Sequence, residues 1–356
     1  MRWSPLGQDV HVSPDAEDLT GCELSRRFYD AVVAPLLLSH WPGLPHAAAR
    51  IGAGSEVLGL DDEMSRDHDW GLRLNVLVAQ DLCRPVQALL DEQLPETYAG
   101  LPVAFAYTGS SEVRHRVEVD TPSDFARSRL GIDPRPAPTT SDWLSFTGQA
   151  VLEVTAGPVF TDTDGALTEI RAALEWYPDD LWRYIVACDW MRLDQEMPLM
   201  SRAGDRGDDL GSRVIAARLV DVAMHLGFML ERQWPPYAKW RGTAFLRLPR
   251  ASAAHGELAA VLQATTWQQR QMNLARALDV LASVQGAAGL PSPEPATIGF
   301  WERPYLHTNQ ELVDDVLDGI SDESVRTLPI GLGSIEQRTS NVDLLVDSHR
   351  RRSHIH

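Results

Sequence analysis

The sequence predicts an α+β chain, with a mixed β-sheet and its helices first and a mainly helical bundle after it. Three observations predict this. Short alternating apolar runs, such as LRLNVLV over 72–78, lie in the first 165 residues. Helical periodicity dominates from Leu167, over 167–176, 179–196, 208–234, about 253–264 and 267–286. The chain has 356 residues and is 44% apolar, enough for two cores.

Taken in order, residues 1–22 read as an N-terminal arm, polar and rich in Asp and Pro. Residues 23–40 have helical periodicity, interrupted by Pro35. HAAARIGAGSE then reads as a short strand ending in a Gly-Ser turn, and DWGLRLNVLVA as a second strand. Residues 81–94 suit a helix. LPVAFAY and VRHRVEV flank TGSSE and predict a hairpin, and 123–130 suggest a helical turn or two. QAVLEVTAGPVF reads as a strand ending at TDTDG. The predicted domains are 23–165 for the mixed sheet and 166–286 for the helices. A linker and C-terminal packing segment follow over 287–345, and 346–356 reads as a disordered tail.

The formal net charge is −18, which argues against a general duplex-binding face, since phosphate neutralisation needs clustered cations. Cys22, Cys83 and Cys188 are odd in number and widely spaced, and predict neither a disulfide framework nor a zinc motif. No segment is apolar for as long as a membrane span, and no leader pattern is visible, so a cytoplasmic location is expected. Of 32 basic residues all but Lys239 are arginine. A lysine kept where arginine has displaced the rest points to a need for a compact ammonium.

Chemistry concentrates in IGAGSEVLGLDDEMSRDHDWG, residues 51–71. Glycines at 52 and 54 let backbone amides approach a phosphate, and Ser55 adds a hydroxyl. Asp67 and Asp69 precede a β run. At i, i+2 in a strand both carboxylates share a face, where a divalent cation relieves their repulsion. Mg²⁺ prefers such oxygen ligands and shares them with phosphates. His68 would point away from that face and is read as a packing or supporting residue. Trp70 shares the aspartates' parity and would fill the core or flank a nucleotide. Asp61, Asp62 and Glu63 have a weaker claim on the metal.

A Gly-Ser turn, a gap of about a dozen residues and a D-x-D resembles the active-site signature of the DNA polymerase β-like nucleotidyltransferase superfamily. GSEVLGLDDEMSRDHDWG also resembles the DUF4037 family, as do LEVTAGPVF (152–160), YPDDLWRY (177–184) and PPYAKWRGTAF (235–245). The resemblance implies a five-strand mixed sheet. It implies two Mg²⁺ ions on Asp67, Asp69 and a third carboxylate, with Gly54 and Ser55 on the phosphates of ATP or another NTP. Glu118 is the expected third ligand and Glu153 the expected base, both read on strands. Asp120 shares the face of Glu118.

In the helical part, Arg218, Asp221, His225 and Arg232 recur along one side of 208–234. Arg218 and Lys239 are expected at the nucleotide. The predicted activity moves an NMP, foremost AMP, onto a hydroxyl of a small-molecule acceptor, as in antibiotic-modifying nucleotidyltransferases. Transfer to tRNA or protein, a non-catalytic antitoxin-like partner protein and a metal-dependent phosphohydrolase are the alternatives. A homodimer stays open as the assembly.

Overall fold

A computed structural model describes residues 19–62, 70–107 and 110–355. The chain divides into two compact units. The first comprises residues 1–136 and 152–175, the second 137–151 and 176–356. The expected sheet domain over 23–165 shares most of its residues with the first unit, while 137–151 pack within the second.

The first unit opens with helix α1 (Gly21–Phe28), started by a capping box between Thr20 and Glu23. The helix is interrupted ahead of Pro35 rather than at it, by a π-helical turn, Tyr29–Val33, which hands on to α2 (Ala34–His40). Proline near the start of α2 sits where its missing N–H costs least. Strands β1 (Ala47–Ala49) and β2 (Arg73–Leu77) follow, then α3 (Gln80–Gln93) and a small hairpin of β3 (Thr97–Tyr98) and β4 (Leu101–Pro102). Strands β5 (Ala104–Phe105) and β6 (Arg114–Asp120) pair antiparallel, as the hairpin reading expects. Helix α4 (Pro122–Leu130) is capped by Thr121 and ends on Gly131 at φ +84°.

These strands form one five-stranded mixed sheet, ordered β5-β6-β2-β1-β7, with β7 at Val159–Asp162. β2 and β6 are parallel and the other neighbours antiparallel. The two-residue strand period divides the sheet into faces. Ala48, Leu74, Val76 and Val117 are buried and join Leu24, Phe28, Leu37, Val86 and Leu90 in one core. Each Leu, Val or Phe among them contributes about 1.5–3 kcal/mol on burial. The opposite face carries Arg73, Asn75, Arg116 and Glu118, and there the site is built.

One strand expectation fails. LEVT, read as β, belongs to helix α5 (Gly148–Thr155), and only Val159–Asp162 is strand. Glu153 is therefore a helical residue. Thr147 starts this helix by accepting the Ala150 N–H at 3.1 Å, and buried Val151 and Val154 follow at helical spacing. Helix α6 (Ala166–Ala173) completes the unit.

The second unit is built on α7 (Asp179–Asp205) and α8 (Asp209–Leu230), which pack on each other. The sequence reading stops the first of these at 196, but it runs through Pro198. Buried Met197, Met200 and Ser201 hold the helix on both sides of the proline. Two buried indoles are satisfied: Trp182 donates to the Met229 carbonyl at 2.7 Å and Trp190 to Gln285 Oε1 at 2.6 Å. Helices α9 (Ala238–Phe245), α10 (His255–Gln263) and α11 (Trp267–Ala287) follow.

The tail also departs from expectation. Residues Ser348–Ser353 are helical and Arg351 is buried. Its guanidinium donates to the carbonyls of Ser145, at 3.0 Å, and Leu345, while Arg352 pairs with Asp142. Charge alone suggested disorder, whereas arginine forks aimed at carbonyls can order a short segment. No described helix is long and apolar enough to cross a membrane.

Candidate functional site

Arg50 follows the last residue of β1 and is 2% exposed. A buried guanidinium needs its charge and its donors answered. Glu56 answers the charge, at 2.5 Å from Nη2 and 3.0 Å from Nε. The carbonyls of Ile51 and Ala53 accept from the two Nη atoms at 2.5 and 2.7 Å. One side chain thus wraps the backbone of the Gly-Ala-Gly-Ser turn around itself. Burial, then the neighbouring Arg73, lower the pKa of Arg50, and Glu56 works in the opposite direction.

Gly54 has φ +139° and lies against this pair; a Cβ there would collide with the Glu56 carboxylate and with Arg50 Nη2. Gly52, at φ +87°, donates its N–H to the Glu153 carbonyl at 2.7 Å. Ser55 begins the 3₁₀ turn Glu56–Leu58, and its carbonyl accepts the N–H groups of Leu58 and Leu60. Gly54, predicted as part of a phosphate cradle, hence has a second reason to be glycine, the ion pair packed beneath it.

From here the sheet carries the site outward. Asn75 Oδ1 accepts the Ile51 N–H at 3.3 Å, tying β2 to the end of β1. Glu118 stands directly opposite Asn75, and Arg116 directly opposite Arg73. Arg73 reaches Glu56 at 3.4 Å. Arg116 donates to the Phe105 carbonyl from Nε and Nη2 and lies 3.7 Å above the ring centre of Tyr107. On α4, Arg129 approaches Glu153 at 3.4 Å.

These residues enclose a cavity of about 160 Å³, lined by Arg50, Arg73, Arg116, Arg129, Glu118 and Tyr107 together with Asn75. Glu118 is the one carboxylate among its described lining residues. Its hard oxygens suit Mg²⁺ better than a sulfur- or nitrogen-seeking ion. Nearby on the same strand face, Asp120 has its pKa raised by burial, against the opposing hydrogen bond from Thr121.

The predicted residues fall into three groups. Gly54, Ser55, Glu118 and Glu153 all lie in the first unit, with Glu118 at the cavity and Glu153 behind Arg129 on a helix rather than a strand. Asp67 and Asp69, with His68 and Glu63, lie outside the described residues. Among the described residues no group of three His, Cys, Asp or Glu side chains is placed to hold a metal. Trp70 packs against the apolar core of the first unit.

The third group belongs to the second unit. Lys239 lies on α9, exposed, with its ammonium 4.7 Å from the Trp240 ring centre. Arg218 pairs with Glu196 at 2.9 Å. The rest of the polar stripe on α8 is engaged within the unit. Asp221 pairs with Arg241 and buried His225 with Asp189 at 2.6 Å, while Arg232, expected on the same helix, lies past its end at φ +51° and pairs with Asp179.

The family model of DUF4037, described as a domain of unknown function, matches residues 143–241. That stretch contains LEVTAGPVF and YPDDLWRY and the start of PPYAKWRGTAF, and lies beyond the Gly-Ser and D-x-D segment. No curated protein matches. Among solved structures, the chain is similar to a nucleotidyltransferase-like protein from Exiguobacterium sibiricum 255-15. The match has 11% identity and a TM-score of 0.35, and covers 74% of this chain and 78% of that one.

The sequence reading missed the cavity arginines. Their signal was present: Arg73 and Arg116 occupy the polar parity of RLNVL and RHRVEV. In a chain whose cations are nearly all arginine, that signal did not stand out.

Proposed function

We propose that this chain is an Mg²⁺-dependent nucleotidyltransferase of the polymerase β-like kind, which moves an NMP, foremost AMP from ATP, onto a hydroxyl of a small-molecule acceptor. One observation carries the reading. The Gly-Ala-Gly-Ser turn, Asn75 and Glu118 converge on an arginine-lined cavity on the polar face of a mixed sheet. In sequence, the D-H-D motif ends four positions before β2 of that sheet.

The acceptor oxygen would bond to the α-phosphorus as the bond to the pyrophosphate oxygen breaks, and the hydroxyl proton would leave to solvent. The guanidiniums would bind and orient the phosphate oxygens through paired donors. Asp67, Asp69 and Glu118 would hold Mg²⁺, which supplies charge neutralisation and a lowered hydroxyl pKa. Glu153 pairs with Arg129, so we assign it to positioning that arginine rather than to accepting the proton. Arg218 and Lys239 remain proposed nucleotide contacts.

The test is incubation with each labelled NTP, Mg²⁺ and a panel of hydroxyl acceptors, following pyrophosphate and labelled product. Release by the wild type and its loss in Asp67→Ala/Asp69→Ala support the proposal. No NTP binding by the wild type, or an unimpaired double variant, refutes it.

A further inference from the structure

We propose that residues 329–338 form a strap that a proton on His225 fastens to the helical unit, and that loss of this proton as pH rises lets the strap open.

Polar contacts hold the strap on α7. The Tyr184 hydroxyl donates to the Pro329 carbonyl at 2.7 Å and accepts the Gly333 N–H at 3.1 Å. Gln337 Nε2 donates to the Ile185 carbonyl at 2.9 Å and to Asp189 Oδ1 at 2.7 Å. The Gln337 carbonyl accepts from Arg192 at 3.1 Å. Ile335, which starts the helical turn Ile335–Arg338, is buried.

The charged anchor of the strap is Glu336, whose side chain is 5% exposed. It accepts the Gly148 N–H at 2.8 Å and lies 3.8 Å from Arg241 Nη2. Asp189 and His225 form the buried pair beside it. Asp189 from α7, Arg241 from α9 and Glu336 from the strap thus face His225. Tyr177, buried near Glu336 and Asp189, stays a neutral phenol, because burial raises its pKa well above the usual value. Asp221 also meets Arg241, but its carboxylate is exposed and solvated.

Charge then decides whether the strap stays. With His225 protonated, two cations face the buried carboxylates of Asp189 and Glu336. Without that proton a buried carboxylate lacks a counter-charge, which low dielectric makes costly. A neutral imidazole can still donate from Nδ1 to Asp189, so the hydrogen bond survives and only the charge changes. Asp189 and His225 are fixed on helices of 27 and 22 residues, whereas Glu336 sits on a four-residue turn. The strap is therefore the part that gives way, and opening hydrates both carboxylates. Burial lowers the His225 pKa, but Asp189 and Glu336 outweigh burial and Arg241, so closure raises it. A raised closed-state value means that closure is strongest below the open-state value and weakens as pH rises through the closed one.

Hydrogen–deuterium exchange of the full chain from pH 6 to pH 9, read by mass spectrometry and corrected for intrinsic rates, tests this. Protection across 329–338 is expected to fall above the open-state histidine value of about 6.5, by about tenfold per pH unit until the closed value is passed. At pH 9 the strap should exchange while peptides of α7 and α8 in the same molecules remain protected. His225→Gln should leave the strap weakly protected at every pH. Glu336→Gln, which removes one of the two acids, should keep it protected at pH 9. That variant also serves should circular dichroism melts show His225→Gln unfolded. A flat wild-type profile overturns the proposal. So does strap exchange only at the rate of α7 and α8, or a fall in Glu336→Gln as steep as in the wild type.

Discussion

Glu56 Oε1 lies 2.5 Å from Arg50 Nη2, in a pair whose side chains are 6% and 2% exposed. This contact shapes the turn that carries Gly54 and Ser55. Removing the acid would leave a buried, uncompensated guanidinium. We predict that Glu56→Ala costs about 3–5 kcal/mol. Urea unfolding measures it, and a cost below about 1 kcal/mol would mean that the pair is solvated.

Gly54 depends on the same contact. Gly54→Ala introduces a Cβ at φ +139° and against Glu56 and Arg50. The backbone part alone is worth about 1–3 kcal/mol. We expect a lowered urea midpoint with an unchanged m-value. Gly59→Ala is the control, at φ +62° with open space around its Cβ, and should show only the backbone cost.

Glu118 is the described carboxylate at the cavity, opposite Asn75. In the proposed mechanism Glu118→Gln keeps the shape and removes a charge that holds Mg²⁺. Metal-assisted charge stabilisation is worth several kcal/mol, so kcat should fall about 100-fold or more. Steady-state pyrophosphate release with the best NTP and acceptor reads this. A variant within about threefold of wild type would remove Glu118 from the ligands.

His225 gives a pH prediction for the helical unit. Burial alone would lower its pKa. Asp189, at 2.6 Å, and Glu336 more than offset burial and Arg241, so the net shift is upward. Gln337 donates to the other Asp189 oxygen at 2.7 Å. A raised folded pKa means the imidazolium contributes stability in full below its unfolded pKa of about 6.5. That contribution is lost as pH rises through the folded value. Urea unfolding from pH 5.5 upward should show this decline, and His225→Gln should flatten it.

Much of the first unit was legible in the sequence. β2 declared itself by alternation, because one sheet face is buried under Phe28 and Val86 while the other is polar, and β1 and β6 as an apolar run into a Gly-Ser turn and a β-rich run. The long helices of the second unit were equally plain. VLEV was not, because a short apolar run fits either period; a hydroxyl cap at Thr147 decided for helix. Glu153 moved with it, from a strand face to a partner of Arg129. The helix carrying Arg351 depends on acceptors distant in sequence, at Ser145 and on Asp142, which local charge cannot reveal. The cavity is also non-local: Arg50, Arg73, Arg116 and Arg129 meet only through the strand order β6-β2-β1 and the helix after β6.

The most direct test of the central claim is pyrophosphate release from labelled NTP with Mg²⁺ and a hydroxyl acceptor, in wild type beside Asp67→Ala/Asp69→Ala. The account predicts release by the wild type, with the labelled NMP on the acceptor, and none above background from a folded double variant. Equal release by both proteins, or no NTP binding by the wild type, would contradict it.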